Sequence, residues 1–190
     1  MQFETLDRHQ AQNILHRIWN HPALSGVYLD PFQDPEHQEK LDISQVFELE
    51  AQEWMALKGV AKLPQGSVAC STVVITLTGL PEGTTEQDVW VDVCFPLGSL
   101  DGIFPVEAYP FDSEDVDHEP WVRVLENWLA DLGQYVFEVH PFQMALIGFE
   151  TSGMADANDL KDHGPPAKRG RVYLWPEHGK LVDYPRTERA

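Results

Sequence analysis

The chain has 190 residues, 43% hydrophobic and 11% aromatic, which favours one globular domain and argues against disorder. It carries 31 acidic and 13 basic residues, a formal net charge of −18 at pH 7. That charge disfavours binding to nucleic acid or to anionic membranes. The sequence shows neither a signal peptide at its start nor an apolar run near the roughly 18 residues of a membrane span, so we expect a soluble, cytoplasmic protein.

The acidic residues are unevenly distributed. Residues 64–160 contain seventeen Asp and Glu but a single basic residue, Arg123. Residues 168–190 instead contain six Lys and Arg against three acids. An acidic body favours electrostatic attraction to a basic protein partner, and plain solubility is the alternative interpretation.

The first predicted elements are two helices. Helical spacing places six apolar residues on one face of the first helix, which Pro22 ends: Leu6, Ala11, Ile14, Leu15, Ile18 and Trp19. A second helix is predicted from Asp42 as N-cap, with Gln45 as its capping-box partner, to a stop at Gly59. Part of this segment, "SQVFELE", also alternates as a strand would.

A β-hairpin is predicted from "VACSTVVITLT" and "DVWVDVCF", two alternating β-branched runs joined by a turn centred near Glu82. This register places Cys70 opposite Cys94, both expected to be free thiols in a reducing compartment. One face of the hairpin then carries Val73, Ile75, Leu77, Val89, Val91, Val93 and Phe95. The other, polar face carries Thr72, Thr76, Asp88, Trp90 and Asp92.

The second half of the chain predicts one more helix and further strands. The helix begins near Pro120 and ends at Gly133. Two strands follow, "YVFEV" and the mostly apolar "FQMALIGFE", which we expect to be central in its sheet. Residues 151–170 are predicted to be a mobile loop, and residues 171–185 a C-terminal hairpin with a four-residue turn. The whole chain, 1–190, is thus predicted to be a single α+β domain with a mainly antiparallel sheet and about three helices.

An acidic stretch, "FDSEDVDHEPW" at residues 111–121, comes closest to a metal motif. Counting from Asp115, its acids have the spacing of an EF-hand calcium loop, but Pro120 stands where that loop needs glycine and no entering helix precedes it. Asp117 or Glu119 would instead favour the start of a helix. The acids further upstream, Asp112, Glu114 and Asp115, are surplus negative charge.

No catalytic or metal-binding motif is present, and each histidine is interpreted as a surface residue. We therefore predict no cofactor, metal or catalytic residue, and favour a non-enzymatic protein. An enzyme is the alternative: a small hydrolase, possibly dependent on a divalent metal, that uses Asp115, Asp117, His118 and Glu119.

The sequence favours an acidic interaction protein, concretely an inhibitor or immunity-type protein that neutralises a basic toxin or nuclease. A tryptophan among carboxylates on an open sheet face is typical of a protein-binding surface, with the aromatic ring as anchor. The predicted partner-binding residues lie on that face and in the acidic stretch: Asp88, Trp90, Asp92, Asp112, Glu114, Asp115, Asp117 and Glu119.

Overall fold

A computed structural model of the chain describes residues 1–28, 54–76, 89–106, 117–151 and 154–188. The contacts divide the chain into two compact units, Glu4–Val106 and Met1–Phe3 with Glu107–Ala190, and each is treated separately below. Strands in antiparallel sheets and interspersed helices make this an α+β fold, as the sequence predicts. The single domain stays a prediction.

Twelve elements occur in the described residues. The helices are α1 (Arg8–Trp19), α2 (Leu97–Leu100), α3 (Glu119–Phe137) and α4 (Ala157–Leu160). The strands are β1 (Gln2–Phe3), β2 (Leu24–Tyr28), β3 (Trp54–Leu63), β4 (Gly66–Thr76), β5 (Val89–Cys94), β6 (Ala145–Ile147), β7 (Val172–Glu177) and β8 (Lys180–Tyr184). Among these helices, none is long and apolar enough to cross a membrane.

The unit Glu4–Val106 contains an antiparallel sheet with the strand order β5-β4-β3-β2, and α1 contacts its strand β2. The helix starts with a capping box, in which the Gln10 backbone N–H donates to the Asp7 carboxylate and the Asp7 N–H donates to the Gln10 side chain, both at 2.8 Å. The predicted apolar face is buried at Ala11, Ile14, Leu15, Ile18 and Trp19. The first predicted helix is confirmed.

Strand β3 replaces the end of the second predicted helix. Residues 54–59 are extended, whereas residues 42–53 lie outside the described part of the chain. Gly59 therefore does not end a helix but lies within a strand. A Cβ atom there would lie 2.3 Å from the Gly26 carbonyl oxygen and 2.3 Å from the Trp19 ring, so glycine is needed for close packing.

The predicted hairpin forms between β4 and β5, but its register is shifted by one residue from the prediction. Ile75 lies opposite Trp90 and Ser71 opposite Cys94, so Cys94 does not face Cys70. The buried face of β4 is Val68, Cys70, Thr72 and Val74.

A hydrogen bond satisfies the polar residue on this buried face. Both faces of β4 carry β-branched residues, so alternation alone could not choose between them. Thr72 is only 1% exposed, and its hydroxyl accepts a 2.9 Å hydrogen bond from the Trp19 indole N–H. A polar residue that finds its partner inside the fold can occupy a core position.

In the unit that contains Glu107–Ala190, α3 packs on a sheet with the order β6-β7-β8. The helix continues to Phe137, so the stop predicted at Gly133 and the strand "YVFEV" are wrong. Buried Leu132, Val136 and Phe137 extend the apolar stripe of the helix by another turn. A Cβ on Gly133 would lie 2.3 Å from a Leu174 methyl group, so this glycine serves packing.

The small sheet confirms the C-terminal hairpin and corrects two details. Strand β6 is at the edge of this sheet and β7 is central, contrary to the prediction for "FQMALIGFE". Glu177 pairs with Lys180, so the turn has two residues, not four. These are His178 and Gly179, with φ of 50° and 79°, as a tight hairpin turn requires.

The segment predicted as a mobile loop contains the short helix α4. Its N-cap, Asp156, accepts a 2.7 Å hydrogen bond from the Asn158 N–H. Gln2 is fully buried, and its side-chain amide donates to Asp156 at 3.0 Å and accepts from the Ala157 N–H at 2.8 Å. The start of the chain therefore anchors this segment, which local sequence does not indicate. Residues 152 and 153 lie outside the described residues.

Candidate functional site

The structure describes half of the residues predicted to bind a partner. Trp90 and Asp92 lie on β5, and Asp117 and Glu119 lie at the start of α3. The other four, Asp88, Asp112, Glu114 and Asp115, lie outside the described residues.

Trp90 is buried, with 6% of its surface exposed. It lies opposite Ile75, and Asp92, which is half-buried, lies opposite Val73. The sequence pattern instead predicts an open, polar sheet face with a solvent-facing aromatic ring, and this prediction is wrong for Trp90. Because an interface anchor must be reachable by the partner, Trp90 has no part in the proposal below.

Asp117 is exposed, and its carboxylate accepts a 3.2 Å hydrogen bond from the Glu119 backbone N–H. This bond occupies an N–H group at the start of α3 that has no partner within the helix. This hydrogen bond agrees with the prediction that Asp117 favours the start of the helix.

Glu119 belongs to a cluster of ion pairs that sequence reasoning missed. Its two carboxylate oxygens contact different arginines: Arg123 at 2.8 Å, four residues on, and Arg186 at 2.7 Å. Arg186 also donates through Nε to Glu126 at 2.5 Å and through Nη1 to the Glu188 carbonyl oxygen at 2.9 Å.

The cluster is electrically balanced and buried except at Arg123, whose side chain is 58% exposed. The side chain of Arg186 is 2% exposed, that of Glu126 9% and that of Glu119 18%. Burial raises the pKa of Glu126, and the neighbouring Arg186 acts against that rise. Two carboxylates facing two arginines leave little net charge to attract a partner, so the cluster ties the chain after β8 to α3. The sequence gives one indication of this cluster, which is that Arg186 directly follows the predicted C-terminal hairpin.

His118 is buried, with 4% exposure, so its interpretation as a surface residue is wrong. Its Nδ1 accepts a 3.1 Å hydrogen bond from the Trp121 indole N–H, which uses the lone pair that a general base would need at that atom. Trp121 in turn packs edge-on against Phe149 at 6.0 Å between ring centroids. Among the described residues, no group of three or more His, Cys, Asp or Glu could hold a metal ion. The hydrolase alternative therefore receives no support here.

An acidic pair lies on the exposed side of α3 and β8. Asp131 and Asp183 are both exposed, and neither forms an ion pair with a described residue. Partial burial raises the pKa of Asp183, and the negative charge of Asp131 raises it further. The sequence predicted neither residue, because 52 positions separate them and only the fold brings them together.

Both cysteines are free, as expected. Cys70 is buried, and burial raises the pKa of its thiol to about 12. Cys94 is exposed, and its pKa is also raised, first by desolvation and then by Asp92. Since the reactive form of cysteine is the thiolate, neither thiol has the environment of a nucleophile.

Comparison with protein-family models, curated proteins and solved structures found no match for this chain.

Proposed function

We propose that this protein is a non-enzymatic, acidic interaction protein that binds a basic protein, most concretely as an inhibitor or immunity-type protein that neutralises a toxin or nuclease. An acidic surface can occupy a site built for phosphate groups, and long-range attraction makes capture fast. The net charge of −18 supports this proposal.

The carrying observation is the acidic pair Asp131 and Asp183. Partial burial and, after it, the negative charge of Asp131 raise the pKa of Asp183, and no described residue supplies a counter-ion. A lysine or arginine of a partner placed between the two carboxylates would relieve this repulsion on binding. Two other acids of α3, Glu119 and Glu126, instead form ion pairs with arginines of the same chain.

The segment around the start of α3 contains little basic charge. Arg123 is the single basic residue within residues 64–160, and its guanidinium is bound to Glu119. The exposed Asp117, at the start of α3, adds to the negative potential on this unit.

The test is capture of a partner from the native host with the wild-type protein and with Asp131→Asn/Asp183→Asn. We expect the wild type to retain a basic protein whose affinity falls by roughly tenfold or more when salt rises from about 50 to about 300 mM. The double variant should bind more weakly, by a faster dissociation rate. A matched control, Asp101→Asn/Asp162→Asn, removes the same charge from two exposed carboxylates elsewhere.

Two results would overturn the proposal. One is a bound partner whose affinity does not depend on salt. The other is equal loss of affinity in the double variant and in the matched control, because this would mean that only total charge matters and that the acidic pair has no particular role.

A further inference from the structure

Residues 168–171 form a basic segment on this acidic protein. Lys168, Arg169 and Arg171 carry three positive charges within four residues. None of the three forms an ion pair with a carboxylate of the described residues. With 31 acidic side chains in the chain, uncompensated positive charge is unexpected here.

The guanidinium of Arg169 is held in place by backbone carbonyl groups. Its Nε donates to the Pro185 oxygen at 2.8 Å, and its Nη1 donates to the Pro166 oxygen at 2.7 Å and to the Ala167 oxygen at 3.4 Å. The group also lies over the Tyr184 ring, 5.6 Å from the centroid. Its position is therefore fixed before any ligand arrives.

The backbone around Arg169 is fixed as well. Its N–H donates to the Thr187 hydroxyl at 2.9 Å, and its carbonyl accepts from the N–H groups of Thr187 and Glu188 at 2.8 and 3.1 Å. A binding group whose conformation is already ordered loses little entropy when it binds, so the same contacts give higher affinity.

The carbonyl contacts leave one end of the guanidinium available. The two N–H groups of Nη2 have no acceptor among the described residues. Lys168 is exposed and Arg171 half-buried on the same short segment. Two acids lie close within the described part of the chain: the Glu188 carboxylate lies beside Gly170, and the Glu177 carboxylate accepts a hydrogen bond from the Tyr184 hydroxyl. Three cations outweigh two carboxylates, so the segment stays positive.

We propose that residues 168–171 bind a compact tetrahedral oxyanion, a phosphate or phosphomonoester group, through Nη2 of Arg169 with Lys168 and Arg171. Nη2 of Arg169 can donate charge-assisted hydrogen bonds to a phosphate oxygen, and such bonds are stronger than those between neutral groups. The rest of the chain repels a ligand in proportion to the ligand's charge. A small anion with one or two charges is therefore favoured over a polyanion such as nucleic acid.

This site is independent of the acidic pair. The two proposals can fail separately, because one is tested with phosphate and the other with a basic protein.

Inorganic phosphate is titrated at constant ionic strength, with chloride as the balancing anion, while the backbone amides and the Arg169 Nε–H are followed by NMR. We expect saturable shifts at residues 168–171 and at Thr187. A parallel titration with glycerol phosphate distinguishes the two kinds of ligand. A site for a phosphorylated ligand should bind this ester more tightly than inorganic phosphate, and a site for the free anion should not.

Variants of the flanking cations test the site without releasing the carbonyl bonds of Arg169. Lys168→Gln and Arg171→Gln should each raise the Kd for phosphate, with a combined effect of roughly tenfold. Lys161→Gln is the matched control, an exposed lysine outside the segment, and should leave the Kd unchanged. Arg169→Lys keeps the charge but removes Nη2 and the carbonyl bonds that hold it in place, and should also weaken binding.

Absence of saturable shifts at tens of millimolar phosphate would overturn the proposal. So would equal Kd values for the wild type and Lys168→Gln/Arg171→Gln, or equal weakening by Lys161→Gln.

Discussion

Arg186 connects the end of the chain to α3 through a buried guanidinium. Its partners Glu126 and Glu119 lie 60 and 67 positions earlier in sequence. An ion pair this far from water stabilises little against apolar residues of the same shape, yet losing one partner is costly because the other charge stays buried.

The first prediction follows from that asymmetry. Arg186→Met should lower the free energy of unfolding by about 3–5 kcal/mol, because Glu126 would be left charged and buried. Glu126→Gln/Arg186→Met should cost less than the single substitution. Urea denaturation at pH 7 measures both. An equal or larger loss in the double variant would mean that Arg186 acts through packing rather than charge.

Asp183 gives a prediction for pH. Its pKa is raised in the folded protein, so the folded state holds the proton more tightly than the unfolded chain does. The free energy of unfolding therefore falls as pH rises from the ordinary aspartate pKa through the raised one. Asp183→Asn removes this loss, and we expect it to stabilise the protein at pH 7 by a few tenths of a kcal/mol, but not at pH 3.

Thermal or urea unfolding at several pH values measures this difference. Asp101→Asn controls for the loss of one surface charge in the other unit. A benefit of Asp183→Asn that is the same at pH 3 and pH 7 would contradict the electrostatic explanation.

At the scale of elements, glycine decides how closely α1 approaches the sheet. The hydrogen bond from Trp19 to Thr72 places the indole across β3, and Gly59 is the position beneath the ring. Any side chain there would meet the ring and also the Gly26 carbonyl, which is backbone and cannot rotate away.

We therefore predict that Gly59→Ala destabilises the protein by about 1–3 kcal/mol or more. Gly98→Ala is the matched control, because no atom lies within 4 Å of the position of its new methyl group. That control should be neutral or slightly stabilising. Denaturant midpoints measure both, and similar midpoints for the two variants would contradict the packing role of Gly59.

Glycine also explains where element prediction failed. Gly59 and Gly133 each follow a helical pattern, which predicts that both end helices. In the structure both positions face large side chains, Trp19 and Leu174, with no room for a Cβ. Glycine that ends a helix and glycine that permits close packing look the same in a single sequence, because the difference lies in a distant neighbour.

At the scale of the whole molecule, net charge opposes folding. A charge of −18 repels itself in the compact state more than in the expanded one. The buried pair of Arg186 and Glu126 is screened far less than exposed charges are.

We predict that raising NaCl from about 20 to about 200 mM increases the Tm at pH 7, because the Debye length shortens from roughly 20 to roughly 7 Å. The rise should be smaller at pH 4, where fewer carboxylates are ionised. A Tm that falls with salt would mean that attractive ion pairs outweigh the repulsion.

The sequence by itself determined the α+β class, the first helix, the start of α3 and both hairpins, because periodicity and capping are local. It also determined the excess of negative charge, which does not depend on the fold. Only the tertiary structure decided the register of β4 and β5, the burial of Trp90 and His118, and the pairing of Arg186 with α3. The register and the pairing of Arg186 depend on contacts between residues far apart in the chain, and such contacts leave no periodic trace in the sequence. The burial of Trp90 and His118 depends on where the fold places β5 and the start of α3.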